Sequence, residues 1–146
     1  MSERDRRVLI VEDDESLRRI VSRHLRSLGY TVDEASSVED AGSQLEGGLR
    51  PGIVILDLRL PGDTGWELLR RPALAAAGSP PVIITSATTV SPRRLAEFGC
   101  AGYLPKPFPL ETLVATVERV FNAQAEKRDR EVSDLDASAL SGASER

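Results

Sequence analysis

Short runs of apolar residues alternate along the chain with longer stretches in which apolar positions recur every three or four residues. The runs occupy residues 8–11, 30–32, 53–56, 82–84 and 103–104. Three of them are apolar at every position, as strands covered on both faces must be. Between the runs the period lengthens from that of a strand to that of a helix, which marks βα units wound around a parallel sheet. The unit recurs five times, so the predicted fold class is α/β: a doubly wound, five-stranded parallel sheet with helices on both faces.

The helical stretches differ in strength. Leu17, Ile20, Val21, Leu25 and Leu28 form one apolar stripe on a first helix that Gly29 terminates. Ser37, with Asp40 three residues on, reads as the cap of a second helix, kept short and weak by Gly42 and the Gly47-Gly48 pair. A third helix is predicted to begin near residues 64–66 and run through Leu68 and Leu69, until Pro72 removes a donor and ends or kinks it. Ser91-Pro92 starts a fourth helix of about two turns that stops by Gly99. In the last helix Leu110, Leu113, Val114, Val117, Val120 and Phe121 share one face. From about Asn122 the periodicity fades. Residues 1–125 are therefore read as the domain, and residues 126–146 as a frayed helix end followed by a disordered tail or linker.

Composition narrows the function classes. With 146 residues, 40% hydrophobic and 29% charged, the chain fits one ordinary folded domain. A net charge of −4, a pI near 5.1 and no basic stripe argue against direct nucleic-acid binding by this chain. Cys100 is the single cysteine, so no internal disulfide forms, which fits a reducing, cytoplasmic setting. The polar start leads into only four apolar residues, too few for a signal segment or a membrane span.

In a doubly wound sheet, ligands bind beyond the carboxyl ends of the strands where the strand order reverses. Glu12-Asp13-Asp14-Glu15 follow the first strand, Asp57 ends the third, Thr85-Ser86 end the fourth, and Lys106 follows the fifth. In the order 2-1-3-4-5 the first and third strands are neighbours, so the acidic cluster and Asp57 meet in one pocket. Converging carboxylates repel unless a cation offsets them, and an all-oxygen set suits Mg²⁺. A lysine and a hydroxyl on the far wall supply what a phosphoryl group's oxygens need.

These residues are similar to the receiver domain of bacterial two-component response regulators, over about residues 6–123. The resemblance rests on Val8-Leu9-Ile10-Val11-Glu12-Asp13-Asp14, on Ile55-Leu56-Asp57-Leu58-Arg59-Leu60-Pro61 with Gly65 beyond it, on Pro81-Val82-Ile83-Ile84-Thr85-Ser86-Ala87, and on Gly102-Tyr103-Leu104-Pro105-Lys106-Pro107-Phe108. It implies a flavodoxin-like arrangement in which Asp57 accepts the phosphoryl group. Asp13 would bind the metal directly, Glu12 would hold a metal-bound water, and Arg59 would offer its backbone carbonyl. Ser86, rather than Thr85, matches the switch hydroxyl, Lys106 the family's lysine, with a cis bond to Pro107, and Tyr103 the rotating aromatic. The donor would be the phosphohistidine of a sensor histidine kinase or phosphotransfer protein, or a small phosphodonor. The surface formed by the fourth helix, fifth strand and last helix would carry the output to a downstream protein or to an output domain absent from this chain, with homodimerisation on phosphorylation as a further expectation. No conventional turnover enzyme is implied beyond Mg²⁺-dependent self-phosphorylation and slow autodephosphorylation.

Other readings compete. An acidic run is often only a solvated helix start, Asp57 a strand-end cap, Ser86 a turn hydroxyl and Tyr103 a packing residue. His24 reads as exposed, and Trp66 and Cys100 as packing residues. A pseudo-receiver that only binds a partner would keep the fold without the chemistry. A haloacid-dehalogenase-type phosphatase would need a second aspartate where Arg59 stands, and a flavodoxin-like FMN carrier would need a phosphate loop in place of the four acids. The chain also departs from the family: two fewer residues separate Ser86 from Lys106, Thr64 stands where Asp or Ser is common, and Pro72 interrupts the third helix. Arg59 beside the acceptor is expected to alter the lifetime of the phosphorylated state.

Overall fold

A computed structural model of the protein describes residues 6–60 and 64–144, with side chains as far as residue 139. Pro61 of the acceptor segment lies outside the described residues. Five parallel strands, β1 (Arg7–Val11), β2 (Thr31–Ala35), β3 (Ile53–Asp57), β4 (Val82–Ser86) and β5 (Gly102–Pro105), form one sheet in the order β2-β1-β3-β4-β5. Between and after them lie α1 (Glu15–Ser27), α2 (Val38–Glu46), α3 (Gly65–Arg70), α4 (Pro72–Ala75), α5 (Pro92–Glu97) and α6 (Leu110–Ser144). No helix among the described residues is long and apolar enough to cross a membrane.

Successive strand residues point to opposite faces, so the all-apolar strands feed two cores. Val8, Ile10, Ile53, Ile55 and Ile83 pack with Val21 and Leu25 of α1 and with Leu113, Val117 and Val120 of α6. Leu9, Val11, Val54, Leu56 and Ile84 pack on the other face with Val38, Ala41, Leu68, Leu69 and Leu74 of α2, α3 and α4. Each strand runs parallel to its neighbour, with Val11 beside Leu56 and Asp57 beside Thr85. This register brings the strand ends that carry the candidate chemistry to one edge.

Local signals explain most of the helix ends. Asp14, Ser37 and Ser91 cap α1, α2 and α5, each accepting a hydrogen bond from a backbone N–H three residues on. Proline disfavours a helical residue before it, and Arg71 is extended; the predicted third helix accordingly becomes α3 and α4, with Pro72 opening the second piece. Gly42 sits buried inside α2, where a Cβ would lie 2.2 Å from Nη1 of Arg71. That glycine makes room for a guanidinium crossing the helix.

Three features differ from the sequence reading. Ile20 and Leu28 were expected on the buried stripe of α1, but they are 54% and 43% exposed. The buried face is centred instead on Val21, Ser22 and Leu25, so the apolar period is wider than the contact it makes. His24, on the same exposed side, is half-buried beside Ile20 and Leu110 rather than free in solvent. Finally, α6 continues to Ser144 where a frayed end and disordered tail were expected. Ala, Gln, Glu, Lys and Arg are strong helix formers, so helix geometry persists there although residues 125–139 are exposed throughout.

Candidate functional site

The four acids after β1 divide into two pairs with different tasks. Asp14 caps α1 by accepting the Leu17 N–H at 3.1 Å, and Glu15 pairs with Arg19 at 2.8 Å along the helix. Glu12 and Asp13 are left for the strand edge. The Glu12 N–H extends the β1–β2 pairing by donating to the Ala35 carbonyl at 3.0 Å, and Arg18 donates to the Glu12 carbonyl at 2.8 Å while pairing with Glu34. These bonds hold the turn that presents both carboxylates.

Asp57, the last residue of β3, lies next to them. Carboxylate oxygens of Glu12, Asp13 and Asp57 all fall within 4.8 Å of one another. Glu12 and Asp57 are each 3% exposed, whereas Asp13 is open to solvent. Lys106 reaches in from beyond β5: its Nζ donates to Oε1 of Glu12 and, at 3.0 Å, to Oδ2 of Asp57. Its backbone N–H donates to the Ser86 carbonyl at 2.8 Å, tying the lysine to the end of β4. The Lys106–Pro107 peptide bond is cis. Oδ1 of Asp57 accepts the Arg59 backbone N–H at 3.1 Å, while the Arg59 side chain is exposed.

Three acids face one lysine here, and the electrostatics reflect the imbalance. Burial, aided by the neighbouring Asp57, pushes the Glu12 carboxyl up to about 8, against the opposing pull of Lys106. For Lys106, burial works against the charge, but hydrogen bonds and attraction from Glu12 and Asp57 win, and its ammonium is held above its ordinary range. Oε2 of Glu12 remains buried without a hydrogen-bond partner. An orphaned buried carboxylate oxygen beside two more carboxylates is what an oxygen-liganded cation satisfies.

Gly65 explains its own place in the pattern. A Cβ there would lie 2.7 Å from the Asp57 carbonyl oxygen, so the start of α3 passes too close to the end of β3 for any side chain.

Comparison with known proteins fits this geometry. Residues 8–118 match the model of the response regulator receiver domain. The chain belongs to that family. The response regulator MprA of Mycobacterium ulcerans (strain Agy99) is 32% identical over 136 residues, which cover 92% of this chain and 58% of MprA. The chain thus spans little more than half the length of such curated relatives. A receiver domain protein (CheY-like) from Methanospirillum hungatei JF-1 shares the fold with a TM-score of 0.76 at 22% identity, over 84% of this chain and 98% of that one. The response regulator TrrA of Thermotoga maritima, solved in complex with Mg²⁺-BeF, has a TM-score of 0.68 at 25% identity, over 79% of this chain and 98% of that one.

The receiver domain thus brings together Glu12, Asp13, Asp57 and Lys106, four of the residues singled out from sequence, with the Arg59 backbone alongside. Ser86 is 1% exposed and ends β4, but its hydroxyl is engaged with Thr88. Tyr103 is half-buried on β5, and its hydroxyl donates to the Thr88 carbonyl at 3.3 Å. Thr88 escaped the sequence reading, because a lone threonine in a loop carries no periodic or motif signal.

Proposed function

We propose that this receiver domain is a phosphorylation switch: Asp57 accepts a phosphoryl group, and the change of charge reshapes the surface around α5, β5 and α6. The observation that carries the reading is the convergence of three strand ends on one spot, with Lys106 bonded to Glu12 and Asp57 beside Asp13. Asp13 and Asp57 would supply carboxylate ligands to Mg²⁺, Glu12 would hold a metal-bound water, and the Arg59 carbonyl would complete the protein's share of the ligands. The ion, when bound, offsets negative charge during phosphoryl transfer.

The chain's own groups do the rest. An Asp57 carboxylate oxygen is the nucleophile; it forms the new bond to phosphorus as the bond to the donor nitrogen or oxygen breaks in line with it. Lys106, already at Asp57, is placed to turn its ammonium to a phosphoryl oxygen, and Ser86 to donate its hydroxyl to another. The acyl phosphate adds roughly −1.5 to −2 charges, which gives both groups a new partner, and Tyr103 follows the movement of the loop after β4.

The proposed donors are a sensor histidine kinase, a phosphotransfer protein or a small phosphodonor, in the cytoplasm. The proposed recipient is a downstream protein or an output module joined through the α6 extension, with homodimerisation on phosphorylation as one mode of output. Support for a connector comes from the exposed course of α6 beyond residue 125 and from the greater length of the relatives. The test is intact mass after incubation with Mg²⁺ and acetyl phosphate. The wild type is expected to gain the mass of one phosphoryl group, and Asp57→Asn or chelation by EDTA to abolish the gain. A wild-type chain that stays unmodified, or an Asp57→Asn chain that is still modified, overturns the reading.

A further inference from the structure

We propose that the Thr88 side chain is a latch that holds the Ser86 hydroxyl away from the acceptor, so that Thr88 sets how readily the phosphorylated arrangement forms. The inference deepens the proposed function and rests on Ser86 as its switch hydroxyl.

Ser86 is buried, so water offers its hydroxyl no alternative partner. Thr88 satisfies it twice: the Thr88 N–H donates to Ser86 Oγ at 3.1 Å, and the two hydroxyl oxygens lie 3.0 Å apart in a second hydrogen bond. A backbone bond of this kind is ordinary at a strand end. The hydroxyl pair is not required by the turn, and it opposes any rotation of Ser86 toward Asp57. Thr88 is itself held from the other side, because the Tyr103 hydroxyl donates to its carbonyl. One residue thus touches both groups that the proposed switch moves. Thr88 acts on the acceptor only through Ser86, which makes it a positioning residue. Its own side chain is exposed, so changing it need not disturb the core.

A buried hydroxyl gains about as much from one ordinary hydrogen bond as from another, so losing the Thr88 hydroxyl should favour the rotated Ser86 about three- to ten-fold. The experiment is a double-mutant cycle in the full chain, with beryllofluoride at saturating Mg²⁺ as the probe and calorimetric titration as the readout. Thr88→Val, which keeps the β-branch and removes the hydroxyl, should bind beryllofluoride about three- to ten-fold more tightly. Thr88→Ser should match the wild type. Ser86→Ala should bind more weakly, and in that background Thr88→Val should change nothing. The latch is overturned if Thr88→Val binds no more tightly, or if it has the same effect with and without Ser86. If Ser86→Ala binds as well as the wild type, the role given to Ser86 fails, and the latch fails with it. A loss confined to the Thr88 variants leaves the proposed function standing.

Discussion

The two helices that flank β5 are attached to the same strand in opposite ways. α6 presses Leu113, Val117 and Val120 into the core it shares with α1, and all three are essentially closed to solvent. α5, on the other face, contributes no buried residue. It is held by half-buried contacts: Leu95 and Phe98 pack against the edge of the core, the Trp66 and Phe98 rings lie 4.9 Å apart, and the Arg94 guanidinium sits 4.7 Å from the Trp66 ring centre. Adjacent residues of β5 record the same asymmetry, with Leu104 buried against the α6 side and Tyr103 half-buried against the α5 side. An element secured by a few half-buried contacts opens at lower cost, whereas one secured by full core burial opens only with the domain. The proposed switch residues Ser86, Thr88 and Tyr103 all lie on the loosely held side.

Attacking the firm side should have the largest effect. Leu113→Ala removes a fully buried side chain and should destabilise the domain by about 3 kcal/mol in urea denaturation. A cost below about 1 kcal/mol would erase the contrast between the helices.

The acidic edge should make stability depend on pH in a direction that can be stated. Burial raises the Glu12 carboxyl from 4.5 to about 8, so between those values the folded chain holds a proton that the unfolded chain has released. Stability from this group is therefore fully present below the unfolded value and is lost as pH rises through the folded one. Urea melts in metal-free buffer at about pH 5.5 and pH 8 should show the fall, and Glu12→Gln should flatten it. Added Mg²⁺ should also reduce it, by favouring the carboxylate.

Gly65→Ala tests the close approach of α3 to β3. With 2.7 Å available beside the Asp57 carbonyl, the added methyl must shift the acceptor segment, at a cost of about 1–3 kcal/mol and with slower phosphorylation by acetyl phosphate. The smallest effect belongs to the loose side. Arg94→Ala removes an exposed cation from two aromatic faces and should cost about 0.5–1 kcal/mol, leaving phosphorylation intact.

Several of these features are legible in the amino-acid sequence. β1, β3 and β4 announce themselves because strands buried on both faces must be apolar throughout. The apolar run of β2 ends at Val32, yet the strand continues through Asp33, Glu34 and Ala35, because an edge strand tolerates acids that Arg7, Arg18 and Arg26 pair with. Glu12, Asp13, Asp57 and Lys106 were legible as a set since topology alone carries their strand ends together. Ile20 belongs to the apolar stripe and is nevertheless exposed, because periodicity reports a stripe without saying what covers it. Gly42 weakens α2 by propensity, and only the position of Arg71 shows that a Cβ there would require the guanidinium to move. Beyond Asn122 no apolar stripe marks α6, and helix propensity alone continues it.

Hydrogen exchange of the full chain, measured with and without beryllofluoride at saturating Mg²⁺, tests the central claim most directly. If charge at Asp57 is read out on the loosely held side, protection should change most in residues 86–99 and 102–106, less in the first three turns of α6, and least in α1. Unchanged exchange in residues 86–99, or a change confined to α1 and α6, would contradict it.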